Sequence, residues 1–387
     1  MKTYLALTAA FFALAATVAH AGLDEGKAAY ERGDFATALK ELQPLAAQGN
    51  PIAQMNLGRM YILGQGVARN AAEGFKLIRS AADQGNAAAQ ALLGALYAEG
   101  IGTPRDIAEE VKWFRKAAEQ GHTIAQYNLG VMHERGRGVA RDEAEAVTWY
   151  RKAAEKGNAD AQNNLGSMYE RGRGVPKDEA EASKWYRKAA DQGDAYAQYS
   201  LGLMYQQGRS VGRDEAEALK LIRMSAEKGY PKAQQALGTL YANGQGVTKD
   251  QGEAVKWIRK AADQGDALAQ SSLGYMYLEG LGVVKDGVEA VKWTRKAADQ
   301  GEINAQHNLA NMFRLGTGIA KDETEAVKWY RKSADQGNPD SQYSLGVMYA
   351  QGLGVARDEA EAVMWMRKAA DQGNTSAQET LRRLGAR

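Results

Sequence analysis

Between His122 and Gly157 the apolar positions follow a helical period twice over. Ala125, Leu129 and Met132 fall three and four residues apart, with His133 beside them, and so set one apolar stripe along a first helix. Trp149 and the small Ala153 mark the packing side of a second. The whole pattern returns every 36 residues, punctuated by Gly49, Gly85, Gly121, Gly157, Gly193, Gly229, Gly265, Gly301, Gly337 and Gly373. A constant internal period of this length is the signature of a repeat array, and it predicts stacked helix pairs over independent globular domains.

The breaks between helices carry their own chemistry. Asn50, Asn86, Asn158, Asp194, Asp266, Asn338 and Asn374 follow the periodic glycine, where a side-chain oxygen can accept from orphan N–H groups of a first helix. That helix is predicted to stop at Gly136, with Gly138 two residues on, because a tight connection needs positive φ. The second helix opens at Asp142 with Glu145 three residues later, a capping-box spacing that recurs in nine units from Asn70 and Glu73 to Asp358 and Glu361. Acids at its start and Arg151 and Lys152 near its end both suit the helix dipole.

Comparing the units with one another separates fixed columns from free ones. The seven Trp share one column, Trp113, Trp149, Trp185, Trp257, Trp293, Trp329 and Trp365, with Leu77 and Leu221 in the other two units. A column that accepts Leu is read as core and not as a ligand-stacking surface. Gly130 lies in the middle of a helix, where glycine costs about 1 kcal/mol against Ala, so the column is expected to mark close helix approach.

The motifs Ala-Gln-Tyr-Asn-Leu-Gly at 125–130, Gly-x-Gly-Val at 136–139 and Trp-Tyr-Arg-Lys-Ala-Ala at 149–154 resemble the Sel-one-like repeat family, a branch of the tetratricopeptide superfamily. The resemblance implies an all-α, right-handed α-solenoid of antiparallel helix pairs. Its expected organisation is a leader at 1–21, an N-terminal capping half-repeat at 22–49, nine repeats at 50–373 and a C-terminal capping helix at 374–387. It also implies an adaptor or scaffold role without catalysis, in bacteria often in envelope assemblies. Two alternatives stay open. One is β-lactam binding or hydrolysis, described for a secreted subgroup whose repeats are stapled by cysteines; the other is binding of peptidoglycan or another polysaccharide.

Composition narrows these choices. The chain has no cysteine, which removes disulfides and thiolate metal sites and weakens the β-lactam reading. A formal net charge of +2 gives no basic field for nucleic acid. Lys2, the apolar stretch from Leu5 to Ala19 and the small-x-small Ala19-His20-Ala21 read as an export signal cleaved after Ala21. A periplasmic or secreted protein follows as the expectation, with no integral membrane segment after cleavage.

No residue set suggests chemistry. His122 and His133 fall in a cap column and a core column, no metal-ligand spacing occurs, and no cofactor or metal is expected. Ser225-Ala226-Glu227-Lys228 matches the S-x-x-K pattern of penicillin-recognising enzymes, but Ser225 stands in a small-residue column with Ala117, Ala153 and Ala189. The Gly-x-Gly loops follow a helix and recur from unit to unit, so they read as turns.

A specific site must therefore lie in columns that vary. One runs Met55, Ala91, Tyr127, Asn163, Tyr199, Gln235, Ser271, His307, Tyr343, and the next, four residues on, includes Tyr275 and Asn311. Spacing of four places both on one face of the first helices, expected to be the concave face. Tyr127, Tyr199, Tyr275 and Tyr343, with His307 and with Arg135, Arg171 and Arg314 near helix ends, are the candidate binding residues for a protein partner or a cell-wall glycan.

Overall fold

The structure, a computed structural model, describes residues 21–383 and Gly385. The expected leader therefore lies, apart from Ala21, outside the described residues. Among those residues every regular element is a helix. Nine A/B helix pairs run from Pro51–Leu63 with Ala71–Asp83 to Pro339–Gln351 with Glu359–Asp371. Ahead of them come helical residues 21–31 and the helix Phe35–Ala47, which share a core through Leu23, Ala29 and Leu42. Thr375–Arg383 follows them. The chain divides into two compact units, Met1–Gln192 and Gly193–Arg387, each a stack of such pairs.

In the pair Thr123–Arg135 and Glu143–Glu155, Ala125, Leu129 and Met132 are buried against Trp149. The A helix ends on Gly136 at φ 67° and the connection turns again at Gly138, φ 69°. Gly130 is held by a neighbour: a Cβ there would sit 2.7 Å from the Tyr150 ring, so any side chain would force the two helices apart. Gly174 meets the preceding pair in the same way, with a would-be Cβ 2.1 Å from the Glu143 carbonyl oxygen.

The capping residues behave as expected on one side only. Asp142 accepts from the Glu145 N–H at 2.9 Å, but Glu145 does not return to the cap. The Asp142 N–H is already donated to the His133 carbonyl at 2.9 Å, and the equivalent bond recurs from Asn70 to Tyr61 through Asp358 to Tyr349. The Glu145 carboxylate instead accepts from the Trp149 indole N–H at 2.8 Å, as Glu109 does from Trp113 and Glu361 from Trp365. Lysine three residues after each Trp lies over the ring, 3.7 to 4.4 Å from its centroid in all seven cases. The Trp column is thus core on one face and capped by charge on the other. Trp113 is 2% exposed and Trp365 5%, while Trp257 is half-buried.

Candidate interaction face

A buried polar ladder joins successive pairs. Gln126 of an A helix donates to the Ala118 carbonyl at the end of the preceding B helix, at 3.0 Å. Gln90 does the same to Ala82, Gln270 to Ala262 and Gln342 to Ala334. Gln90, Gln270 and Gln342 also offer their Oε1 to a second glutamine just past the same pair's B helix: Gln120 donates to Gln90 at 2.7 Å, Gln300 to Gln270 and Gln372 to Gln342. Lys156 breaks the series. It turns to the Gly121 carbonyl, and Gln126 Oε1 is left buried without a hydrogen-bond partner. The ladder satisfies helix-end carbonyls that would otherwise be orphaned inside the stack. Its signal was present in the sequence as a glutamine recurring at a buried position of every unit.

With these columns committed to the joints, the remaining A-helix positions form the candidate face. Tyr127 is half-buried, its ring 6.0 Å from that of Tyr150, and burial raises its phenol pKa. Tyr150 is fully buried and donates to Glu134 at 2.7 Å, which Arg173 pairs from the other side at 3.1 Å. Burial, then the Glu134 contact, pushes the Tyr150 phenol far up. Tyr199 packs edge-on against Tyr230 at 5.4 Å, and Tyr196 packs there too at 5.9 Å. Burial pushes the Tyr230 phenol up to about 12. Tyr343 is half-buried with its hydroxyl 3.5 Å from Thr380 Oγ1. Tyr275 is the most open of the four, 52% exposed.

His307 stands in a continuous chain of bonds. Its Nδ1 is 2.8 Å from Ser341 Oγ and its Nε2 2.9 Å from Asn311 Nδ2. Ser341 donates to Ser333 at 2.8 Å and Ser333 to the Ile303 carbonyl at 2.9 Å. That carbonyl can only accept, which fixes the proton order: Ser341 accepts from Nδ1–H, and Nε2 accepts from the Asn311 amide. Asn311 Oδ1 in turn accepts from Tyr330, which accepts from Arg314 Nε at 3.0 Å. Arg314 is therefore tied to the core. Arg135 and Arg171 are exposed at the last positions of their helices.

The S-x-x-K match is accounted for by joints. Ser225 is fully buried and donates to the Ala195 carbonyl at 2.6 Å, while Lys228 donates to the Gly193 carbonyl. Among the described residues no cluster of acids and histidines could hold a metal ion, and no helix is long and apolar enough to cross a membrane.

The family model of the Sel1 repeat matches nine consecutive segments from 51–86 to 339–374. The chain belongs to the Sel1 repeat family. Sel1 repeat proteins are generally protein-interaction scaffolds. None of the curated proteins matches the chain. Two solved Sel1-type structures resemble it. One is a protective antigen present in uropathogenic Escherichia coli strains, displaying an SLR fold, 36% identical with TM-score 0.68, covering 89% of this chain and 81% of that one. The other is a Sel1 repeat protein from Oxalobacter formigenes, 36% identical with TM-score 0.61, covering 80% of this chain and 89% of that one.

Proposed function

We propose that this Sel1 array is a non-enzymatic scaffold of the bacterial cell envelope, exported by residues 1–21 and closed by caps at 22–49 and 374–387. It holds a protein partner on the face of its A helices. One observation carries the reading: the fixed columns are committed to packing, capping and inter-repeat joints, while aromatic and charged residues vary on the A-helix face within each unit. Arg135 and Arg171 in the first unit and Tyr275 in the second offer the most accessible contacts, and Tyr127, Tyr199 and Tyr343 present partly covered rings suited to anchoring a partner. A similar protein is a protective antigen, a role that fits a chain met outside the cytoplasm.

The test combines address and binding. Material from the envelope fraction is expected to begin at Gly22; intact Met1 recovered from cytosol would refute export. Among proteins captured from envelope extract by the full chain, a specific partner should be lost when Tyr275→Ala is combined with Arg135→Glu and Arg171→Glu. The circular dichroism of that variant should stay unchanged. A partner retained by the triple variant would place binding elsewhere.

A further inference from the structure

In the second unit the A-helix face opens into a cavity of about 480 Å³, lined among others by Thr239, Lys249, Gln251, Ser271, Tyr275 and Asn308. Its origin is visible in the columns. Ser271 stands where Tyr127, Tyr199, His307 and Tyr343 stand in other repeats, and Ile258 stands where Tyr150 and Tyr330 do. Two columns turn small at one place, and the volume their rings would fill is left open. The floor is apolar, from Ile258, Met276 and Leu281, and the rim is polar. Such a mixture at this size is the ordinary form of a ligand site.

The rim also carries a charge. The residue just before each B-helix cap is basic in all nine repeats, and in five of them it pairs with an acid two residues on. Arg141 meets Glu143 at 2.6 Å, Lys177 Glu179 at 2.8 Å, and Lys321 Glu323 at 2.8 Å; Arg213 and Arg357 pair likewise. After Lys249 the second residue is Gln251, so this ammonium has no such carboxylate. Gln251 turns inward, donating its amide to the Ala242 carbonyl at 3.1 Å with its Oε1 buried. A cation without the carboxylate that five other repeats supply and an apolar floor therefore meet in one recess.

Resting on the reading of the A-helix face as the interaction face, we propose that this cavity binds an extended peptide segment in which an acidic residue neighbours an aliphatic one. The aliphatic side chain fills the floor between Ile258 and Met276. The carboxylate pairs with Lys249. A neutral sugar would use the hydroxyls and amides but would have no call on the ammonium.

The probe is a phage-displayed library of random octapeptides selected on the full chain, with chitotetraose as the sugar control. The selected peptides are expected to carry Asp or Glu beside Leu, Ile or Val. Their binding should weaken about tenfold in Lys249→Glu, and more at low salt than at high. Ser271→Tyr should abolish it; that residue is native to the column in three other repeats, so the fold accepts it. Peptides unaffected by Ser271→Tyr but lost in Tyr127→Ala would overturn the cavity proposal and leave the A-helix face standing. Peptides indifferent to both variants, or no selection at all, would overturn both. Chitotetraose binding that Ser271→Tyr removes and Lys249→Glu spares would make the recess a sugar site and refute the peptide.

Discussion

The repeat at 123–158 and the two at 231–302 share their skeleton and differ on their face. Leu129 and Leu237, Gly130 and Gly238, and Gln126 and Gln234 do the same work in each. In the first, Tyr127 and Tyr150 fill the space between A and B helices and close it with Glu134 and Arg173. In the second, Ser271 and Ile258 line an open recess, and Tyr275 lines it with them. The repeat thus separates two tasks. Some columns define how one pair rests on the next, and others decide whether the exposed surface is closed or recessed.

The two regions should differ most at the Trp column. Trp149→Ala, in the closed repeat, should cost about 3–5 kcal/mol, as large aromatic truncations in cores do. Trp257 is half-buried, and Trp257→Ala should cost markedly less. Urea unfolding of the two full-length variants compares them directly, with midpoints read as regional because arrays depart from two-state behaviour. Equal losses would show that the cavity region is packed as tightly as the rest.

A polar way of filling the same column is sharpened by pH. Burial holds the His307 pKa below its usual value, with Arg314 adding to the effect and Asp340 opposing it. The unfolded chain therefore takes up the proton first as pH falls. Stability contributed by neutral His307 is present above about pH 6.5 and lost below it, at no more than about 1.4 kcal/mol per pH unit. His122 and His133 are lowered by burial too, so the isolating variant is His307→Tyr, the residue found at 127, 199 and 343. Thermal melts at pH 7.5 and 5.5 should show a smaller acid loss in the variant; an identical loss would remove His307 from the account.

The smallest effect concerns the joint beside the closed repeat. Lys156→Gln should restore the second rung of the ladder to the orphaned Gln126 Oε1 and gain about 1 kcal/mol. A neutral or negative change in the urea midpoint would mean that the Lys156 bond to Gly121 already compensates.

Much of this arrangement was legible in the sequence, because a repeated chain carries its own internal comparison. The helix pairs, the Gly136 and Gly138 turns, the core role of Trp149 and the reason for Gly130 all follow from which columns tolerate change. The glutamine ladder is not legible from local rules, although Gln126 recurs as regularly as Leu129. Its partners lie 8 and 30 residues away, beyond the reach of local capping rules. The Glu145 side chain was assigned to a cap whose N–H, in the structure, belongs to the His133 carbonyl. The cavity is invisible to periodicity, since it arises where two variable columns on different helices turn small together.

The joints between repeats have a consequence for how such a chain can change over generations. Each rung ties a side-chain amide to a main-chain carbonyl, and Gly174 rests against the Glu143 backbone, so neighbours recognise one another through atoms every repeat possesses. A gene segment coding 36 residues can be copied or lost between near-identical stretches, and the new neighbours will still fit. Length becomes a heritable variable independent of surface. A lineage can add one recessed cassette, or delete one, without relearning how to fold.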